Sequence, residues 1–207
     1  MAVVLSMTMV NGTAQAASTA PAGDLRQRAA AVLSGGDPTV AKTLESTMDC
    51  WVDVTIRSSG NGRYVKADFG VVGAKGLLRA ATAQSAIGEW EKFGVCRDGS
   101  DWRTVMFSQY DGLPYVSTEL GGDYTGVRRG LLRARNYNYS PGPWENFSTI
   151  APPANNGPLG AGNSTWFYSW AAGLYVSAQL DYPDWSLRAR LGSVGPWESF
   201  TWSGTPI

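Results

Sequence analysis

Three segments of this 207-residue chain carry the same landmarks in the same order, and that repetition restricts the fold more than any single motif. The first reads Val54-Thr-Ile-Arg, Tyr64-Val-Lys-Ala-Asp-Phe, Leu77-Leu-Arg-Ala and Gly88-Glu-Trp-Glu-Lys-Phe. The second reads Val105-Met-Phe-Ser, Tyr115-Val-Ser-Thr-Glu-Leu, Leu131-Leu-Arg-Ala and Gly142-Pro-Trp-Glu-Asn-Phe. The third reads Thr165-Trp-Phe-Tyr, Tyr175-Val-Ser-Ala-Gln-Leu, Ser186-Leu-Arg-Ala and Gly195-Pro-Trp-Glu-Ser-Phe. The copies span about 51–98, 102–150 and 164–203. An apolar first-strand residue stands eight positions before the Tyr each time: Ile56, Phe107 and Phe167. Length differences fall between the Tyr and the Leu-Arg-Ala element, where Gly, Asp and Pro mark loops.

Each copy reads as about four short strands. Three such copies predict an all-β chain, a β-trefoil: a closed six-stranded barrel capped at one end by three hairpins, with pseudo-threefold symmetry. A three-bladed or solenoid arrangement is the competing reading. Period-two alternation places Val65, Ala67 and Phe69 inward, with Val116, Thr118, Leu120 and Val176, Ala178, Leu180 as their equivalents. Tyr64, Tyr115 and Tyr175 then point outward. So do Arg79, Arg133 and Arg188, one from each Leu-Arg-Ala element.

The last strand is the most informative. Trp and Phe of Trp-Glu-x-Phe are three apart, so an extended chain sends them to opposite faces, and Phe93 makes the core pair with Val95. Trp90, Trp144 and Trp197 are left facing solvent, each followed by an acid: Glu91, Glu145 and Glu198. A large ring exposed three times suggests a stacking platform. The competing reading sets each Trp before the strand, plugging the barrel, with its Glu merely pairing the repeat's outward Arg.

All nine Trp, nine Tyr and six Phe lie at Trp51 or beyond, which puts a boundary near residue 50. Met1–Val10 is moderately apolar and runs into Ala14-Gln15-Ala16, a cleavable small-x-small pattern, so residues 1–16 read as a signal peptide that lacks a basic start. Residues 17–49 form a leader. Leu25, Ala29, Val32, Ala41 and Leu44 give it a weak helical stripe, broken at Gly35-Gly36-Asp37-Pro38. Two short helices or a loosely docked leader, partly helical or disordered and serving as a spacer, are expected. In an exported chain the two cysteines, Cys50 and Cys96, would pair in a structural disulfide across a loop worth about 3 to 4 kcal/mol.

Composition excludes much else. Seventeen Lys and Arg against seventeen Asp and Glu leave no net charge, which argues against a nucleic-acid or polybasic membrane surface. No histidine is present, which removes Ser-His-Asp and Cys-His catalysis and imidazole metal sites. No run of apolar residues is long enough to span a bilayer. Neither a cofactor nor a catalytic residue is expected. A carboxylate pair such as Glu89 and Glu91 could in principle hydrolyse a glycoside, but Pro143 and Pro196 replace Glu89 in the other copies.

Tyr-Val-x-Ala-Asp/Glu-x, Leu-x-Ala and Gly-Pro-Trp-Glu-x-Phe together resemble the fascin-like β-trefoil repeat, over residues 51–202. The Gln-x-Trp signature of ricin-type trefoils is missing. Fascin-like proteins with several trefoils in tandem crosslink actin, whereas this chain has one. Secreted bacterial members resemble carbohydrate-binding modules with a shallow Trp/acid site in each repeat. The resemblance therefore implies a secreted, non-catalytic binder of a polysaccharide, a β-glucan among the candidates, through Trp90/Glu91, Trp144/Glu145 and Trp197/Glu198. One ring, one carboxylate and a nearby Arg or Tyr is also the set a sugar needs, because its C–H patches stack and its hydroxyls require fixed partners. Three weak sites on one body would add avidity on a polymer. A protein-binding trefoil would instead use one protruding loop, for which Ala151–Asn163 is the longest stretch.

Overall fold

The computed structural model describes residues 22–99, 102–110, 112–122, 124–136, 142–151, 153–155, 162–178 and 185–207. The expected signal peptide, Leu180 and most of the 151–163 connection lie outside them. Copy one comprises β1 (Asp49–Ser58), β2 (Tyr64–Asp68), β3 (Leu77–Thr82) and β4 (Phe93–Arg97). Copy two comprises β5 (Arg103–Ser108), β6 (Tyr115–Thr118), β7 (Leu132–Asn136) and β8 (Phe147–Ser148). A two-residue strand, β9 (Ala154–Asn155), follows in the connection. In copy three the first strand is broken into β10 (Asn163–Thr165) and β11 (Tyr168–Ser169), before β12 (Leu174–Ala178), β13 (Leu187–Leu191) and β14 (Phe200–Pro206).

The first and last strands of the copies close a barrel. β1 pairs with β4, β4 with β5, β5 with β8, β8 with β11, β10 with β14, and β14 returns to β1. The middle strands form three hairpins, β2/β3, β6/β7 and β12/β13. These meet pairwise in a triangle, through the bridges Leu77 to Arg133, Leu131 to Arg188 and Arg79 to Ser186. At each corner the Leu-Arg-Ala alanine donates its N–H to another copy: Ala134 to Gly76 (2.8 Å), Ala189 to Gly130 (2.8 Å) and Ala80 to Trp185 (2.9 Å). The accepting residue must adopt positive φ, +80° at Gly76 and +86° at Gly130, where a side chain would also strike the neighbouring backbone. Trp185 holds the same corner at φ 51°.

Side-chain alternation follows the repeat inside the barrel. Val65, Val116 and Val176, Leu78, Leu132 and Leu187, and Phe93, Phe147 and Phe200 are all buried in one core. Two expectations need correction. Phe107 is not the counterpart of Ile56: it pairs across the hairpin with Tyr115 and packs outside the barrel, and Met106 enters the core in its place. Arg57 and Tyr168 pair with Tyr64 and Tyr175, seven positions apart, so the copy-two loop is one residue longer and the shared spacing of eight is accidental. Tyr64 and Tyr115 are also buried, at 1% and 0% exposure, whereas Tyr175 is half-buried. The outer face of the sheet is roofed in copy two.

The roof is the leader. Helix α1 (Ala22–Leu33) and helix α2 (Pro38–Thr47) are separated by Gly35 and Gly36 at positive φ, and the Asp37 carboxylate caps α2 by accepting from Thr39 N and Val40 N. Leu25, Ala29, Val32 and Leu44 then build a second core against Val105, Phe107 and Tyr115. The leader lacks rings of its own, yet it borrows those of copy two. Arg28 is buried with them, its guanidinium 4.8 Å from the Tyr115 ring centre and donating to Leu113 O at 2.7 Å. Arg103 donates back to Leu33 O at 2.8 Å. The Cys50–Cys96 disulfide lies within this second core. The leader is therefore a docked part of the structure rather than a loose spacer.

Candidate functional site

Each Trp-Glu pair occupies a tight turn before the last strand of its copy. Glu89–Glu91 and Pro143–Glu145 are single 3₁₀ turns, and Gly195 to Glu198 closes by the same contact. The contact is made by the Glu. Its carboxylate accepts the N–H of the Gly three residues earlier, from Gly88 (2.8 Å), Gly142 (2.8 Å) and Gly195 (2.9 Å). The second oxygen of Glu91 accepts from Thr82 Oγ1 at 2.7 Å, and that of Glu145 from Ser117 Oγ at 2.5 Å. All three acids are buried, at 5%, 2% and 2% exposure. They hold the turn and are turned away from solvent, so the expectation that they accept directly from a sugar beside the ring does not fit their placement.

The rings stand where the turn puts them. Trp144 and Trp197 are 48% and 42% exposed, and Trp90 is half-buried. The Trp does precede the strand, as the competing reading required, but it does not plug the barrel. Trp90 belongs to a surface cluster with Phe69 (6.2 Å between ring centres) and Tyr110 (5.9 Å), and the Lys66 ammonium lies 5.5 Å from its ring centre. Lys66 and Arg79 share the Asp68 carboxylate, at 3.0 and 2.9 Å. Burial pushes the Asp68 carboxyl up, but Lys66, Arg79 and the Gly70 N–H together outweigh it and hold the group below its ordinary value.

The three outward arginines do different work. Arg79 joins Asp68 beside Trp90, while Arg133 and Arg188 brace one hairpin against the next. Arg133 donates twice to Lys75 O, and Arg188 donates to Arg129 O (2.6 Å) and Gly126 O (2.7 Å). Of the tyrosines, Tyr64 and Tyr115 are sealed away from the Trp turns. Tyr175 joins Trp166 and Tyr168, each 5.1 Å from it, on the barrel wall. The structure thus links Arg79 to Trp90 through Asp68 and Lys66, and leaves Tyr64, Tyr115 and Tyr175 outside that group.

Sequence reading passed over Lys66, Asp68 and Tyr110 as site members, because only the turn's lean toward β2 gathers them. It also passed over Trp102 and Trp185, which hold φ of 60° and 51° with Arg97 and Arg63 lying 4.6 and 4.7 Å from their ring centres. Trp185 left a trace: it stands where the other copies have Gly76 and Gly130. Among the described residues, no group of His, Cys, Asp and Glu is placed to hold a metal ion.

No family model matches the chain, and no curated protein matches it. Among solved structures it is similar to ThreeFoil, a designed threefold-symmetric protein, at 8% identity and a TM-score of 0.52 over 72% of this chain and 96% of that one. It is similar to the BEL β-trefoil at 9% identity and a TM-score of 0.50, over 73% and 92% of the two chains. The SDF2-like protein from Arabidopsis thaliana is similar at 5% identity and a TM-score of 0.52, over 77% and 95%. At such identities these likenesses speak for the fold alone, and together with the closed barrel and its triangle of hairpins they show that this chain folds as a β-trefoil.

Proposed function

We propose that this trefoil is a secreted, fascin-like, non-catalytic module that binds a polysaccharide through rings carried on its three Trp turns. The observation that carries the reading is the repeated presentation of Trp144 and Trp197, more than 40% exposed on turns fixed by a buried carboxylate. Exposing an indole forgoes about 2 kcal/mol of burial, so its repetition at equivalent places needs a reason, and stacking on sugar C–H faces supplies one. The polar partner differs from the one the motif suggests. Beside Trp90 it is the Asp68 group with Lys66 and Arg79, while the Glu serves as support. A buried, committed Glu91 also speaks against a carboxylate pair with Glu89, which is itself tied to Lys92 at 3.0 Å. The disulfide supports export, since such bonds persist in oxidising compartments.

Affinity electrophoresis through gels containing soluble polysaccharides, with pull-down on insoluble ones, tests this. Trp144→Ala and Trp197→Ala should each weaken retardation several-fold, and a triple variant including Trp90→Ala should abolish it. Unchanged mobility of the triple variant on a polymer that retards the parent would refute the assignment. Co-sedimentation with filamentous actin is the control for the fascin-type alternative.

A further inference from the structure

The first strand of each copy turns one face out of the barrel, and the three faces differ. Copy one presents Thr55, Arg57 and Ser59 there, copy two Val105, Phe107 and Gln109, and copy three Trp166, Tyr168 and Trp170. Two contacts fix this alignment. Arg57, Phe107 and Tyr168 each pair with the hairpin tyrosine, and the N–H groups of Ser59, Gln109 and Trp170 donate to Ser199 O, Lys92 O and Asn146 O beside the neighbouring Trp turn. Copy two seats protein on this wall: α1 lies against Val105 and Phe107, and the Tyr115 hydroxyl is spent on Arg28 O. Copy three keeps its wall in contact with solvent. Thr165, Phe167 and Ser169 are buried, while Trp166 and Tyr168 are half-buried and Trp170 is 53% exposed.

These rings form a strip. At about 3.3 Å per residue, the stretch from Trp166 to Trp170 runs roughly 13 Å along the wall. Tyr175 widens it, 5.1 Å from both the Trp166 and the Tyr168 ring centres. The Trp170 indole donates to Ser148 Oγ at 2.9 Å, which holds an exposed ring in one pose before a ligand arrives. Cations cover rings elsewhere, Lys66 over Trp90, Arg97 over Trp102 and Arg63 over Trp185, but among the described residues none lies over these four. Their faces are open to stacking, and no basic group there calls for an acid on the sugar. The hydroxyls of Tyr168 and Tyr175, unbonded among the described residues, can pair with sugar hydroxyls. Through Asn146 the strip adjoins the turn that carries Trp144. A straight row of ring faces suits a straight chain of neutral pyranoses, which offers C–H faces along its length, whereas a helical chain curves off it. We infer that the copy-three wall prolongs the Trp144 site into a strip for an extended, neutral, β-1,4-linked polysaccharide. This rests on the glycan-binding reading and narrows its substrate class.

Depletion assays on swollen cellulose, chitin and granular starch test this, with the parent, Trp170→Ala and a Tyr168→Ser/Trp170→Ala variant. The parent should bind cellulose or chitin more tightly than starch, and its affinity for the matching soluble oligosaccharides should climb from dimer to hexamer. Trp170→Ala should lose about fivefold, the worth of one stacked ring, and the double variant about twentyfold, each with its thermal midpoint held. If the double variant fails to fold, Trp170→Ala and the oligosaccharide series still decide. Equal binding to starch overturns the extended-chain class. Wall variants that bind as the parent does, while Trp144→Ala does not, overturn the strip and leave the Trp turns as glycan sites. Binding to none of the three solids overturns the inference alone if another polysaccharide retards the parent, and overturns both readings if none does. A parent dimer in light scattering that Trp170→Ala splits into monomers assigns the wall to a second copy and overturns the inference too.

Discussion

Replacing Glu145 separates support from ligand contact. Its carboxylate is 2% exposed and accepts from the Gly142 N–H and from Ser117 Oγ. Each such bond to a charged acceptor is worth about 1.5 to 3 kcal/mol net, partly offset by the cost of burying the charge. Glu145→Ala strands both donors and opens a void, so a loss of about 3 kcal/mol is expected, equivalent to roughly 6 to 12 °C in the thermal midpoint of a domain this size. Glu145→Gln keeps one oxygen for Gly142, and its amide can donate to the Ser117 hydroxyl, which turns to accept; about 1 kcal/mol is expected. Trp144→Ala should stay within about 0.5 kcal/mol of the parent because the ring is half free of the protein. Circular dichroism melts and affinity electrophoresis on one polymer read both properties together. Glu145→Gln should melt slightly lower and bind as the parent does, while Trp144→Ala should melt normally and bind weakly. If Glu145→Gln melts normally and no longer binds, the carboxylate meets the sugar and the supporting role assigned to it is wrong.

Leu25→Ala in α1 should lower stability by about 2 to 5 kcal/mol in urea melts, since Leu25 is 1% exposed between the leader and β4; a change under about 0.5 kcal/mol would show a leader that rides loosely. Gly130→Ala, at φ +86° and facing the Ala189 carbonyl, should cost more than about 4 kcal/mol or prevent folding, whereas Gly99→Ala, with open space around it, should be neutral in the same melts. Asp68 sets a pH limb. Its folded carboxyl lies below the ordinary value, so its stabilisation is present above the unfolded value and is lost as pH falls through the folded one. Asp68→Asn should flatten the acid side of the stability profile without steepening the neutral side, and an unchanged acid limb would contradict the pairing.

The barrel was readable from sequence because its requirements recur: an inward Val, Leu and Phe at matched places in each copy, which period-two alternation exposes directly. The exposure of the three Trp was anticipated for the wrong reason, since the spacing argument took the chain as extended where a tight turn precedes the strand. What alternation could not supply was the roof. Tyr115 and Phe107 obey outward parity, and only the docked leader, sixty or more residues away in sequence, buries them. The Glu role was hidden for a local reason. Gly-x-x-Glu is a capping geometry when the turn is helical and a surface acid when it is extended, and the strand reading chose the second.

Threefold symmetry is therefore enforced on the backbone and relaxed on the faces. Trp185 shows how far. The hairpin corner demands a left-handed residue whose carbonyl accepts Ala80 N–H, and Trp185 meets both demands at φ 51°. A bulky residue there costs about 1 to 2 kcal/mol relative to glycine, of which stacking against Arg63 returns about 0.5 to 1 kcal/mol. Trp185 holds the corner half-buried, with Arg63, which also donates to Ala81 O, against its ring. Trp102, at φ 60° and 44% exposed, carries Arg97 against its ring in the same way. The barrel and its triangle fix where backbone must be, and the aromatic and basic side chains that differ among the copies are free to make three unlike surfaces on one frame.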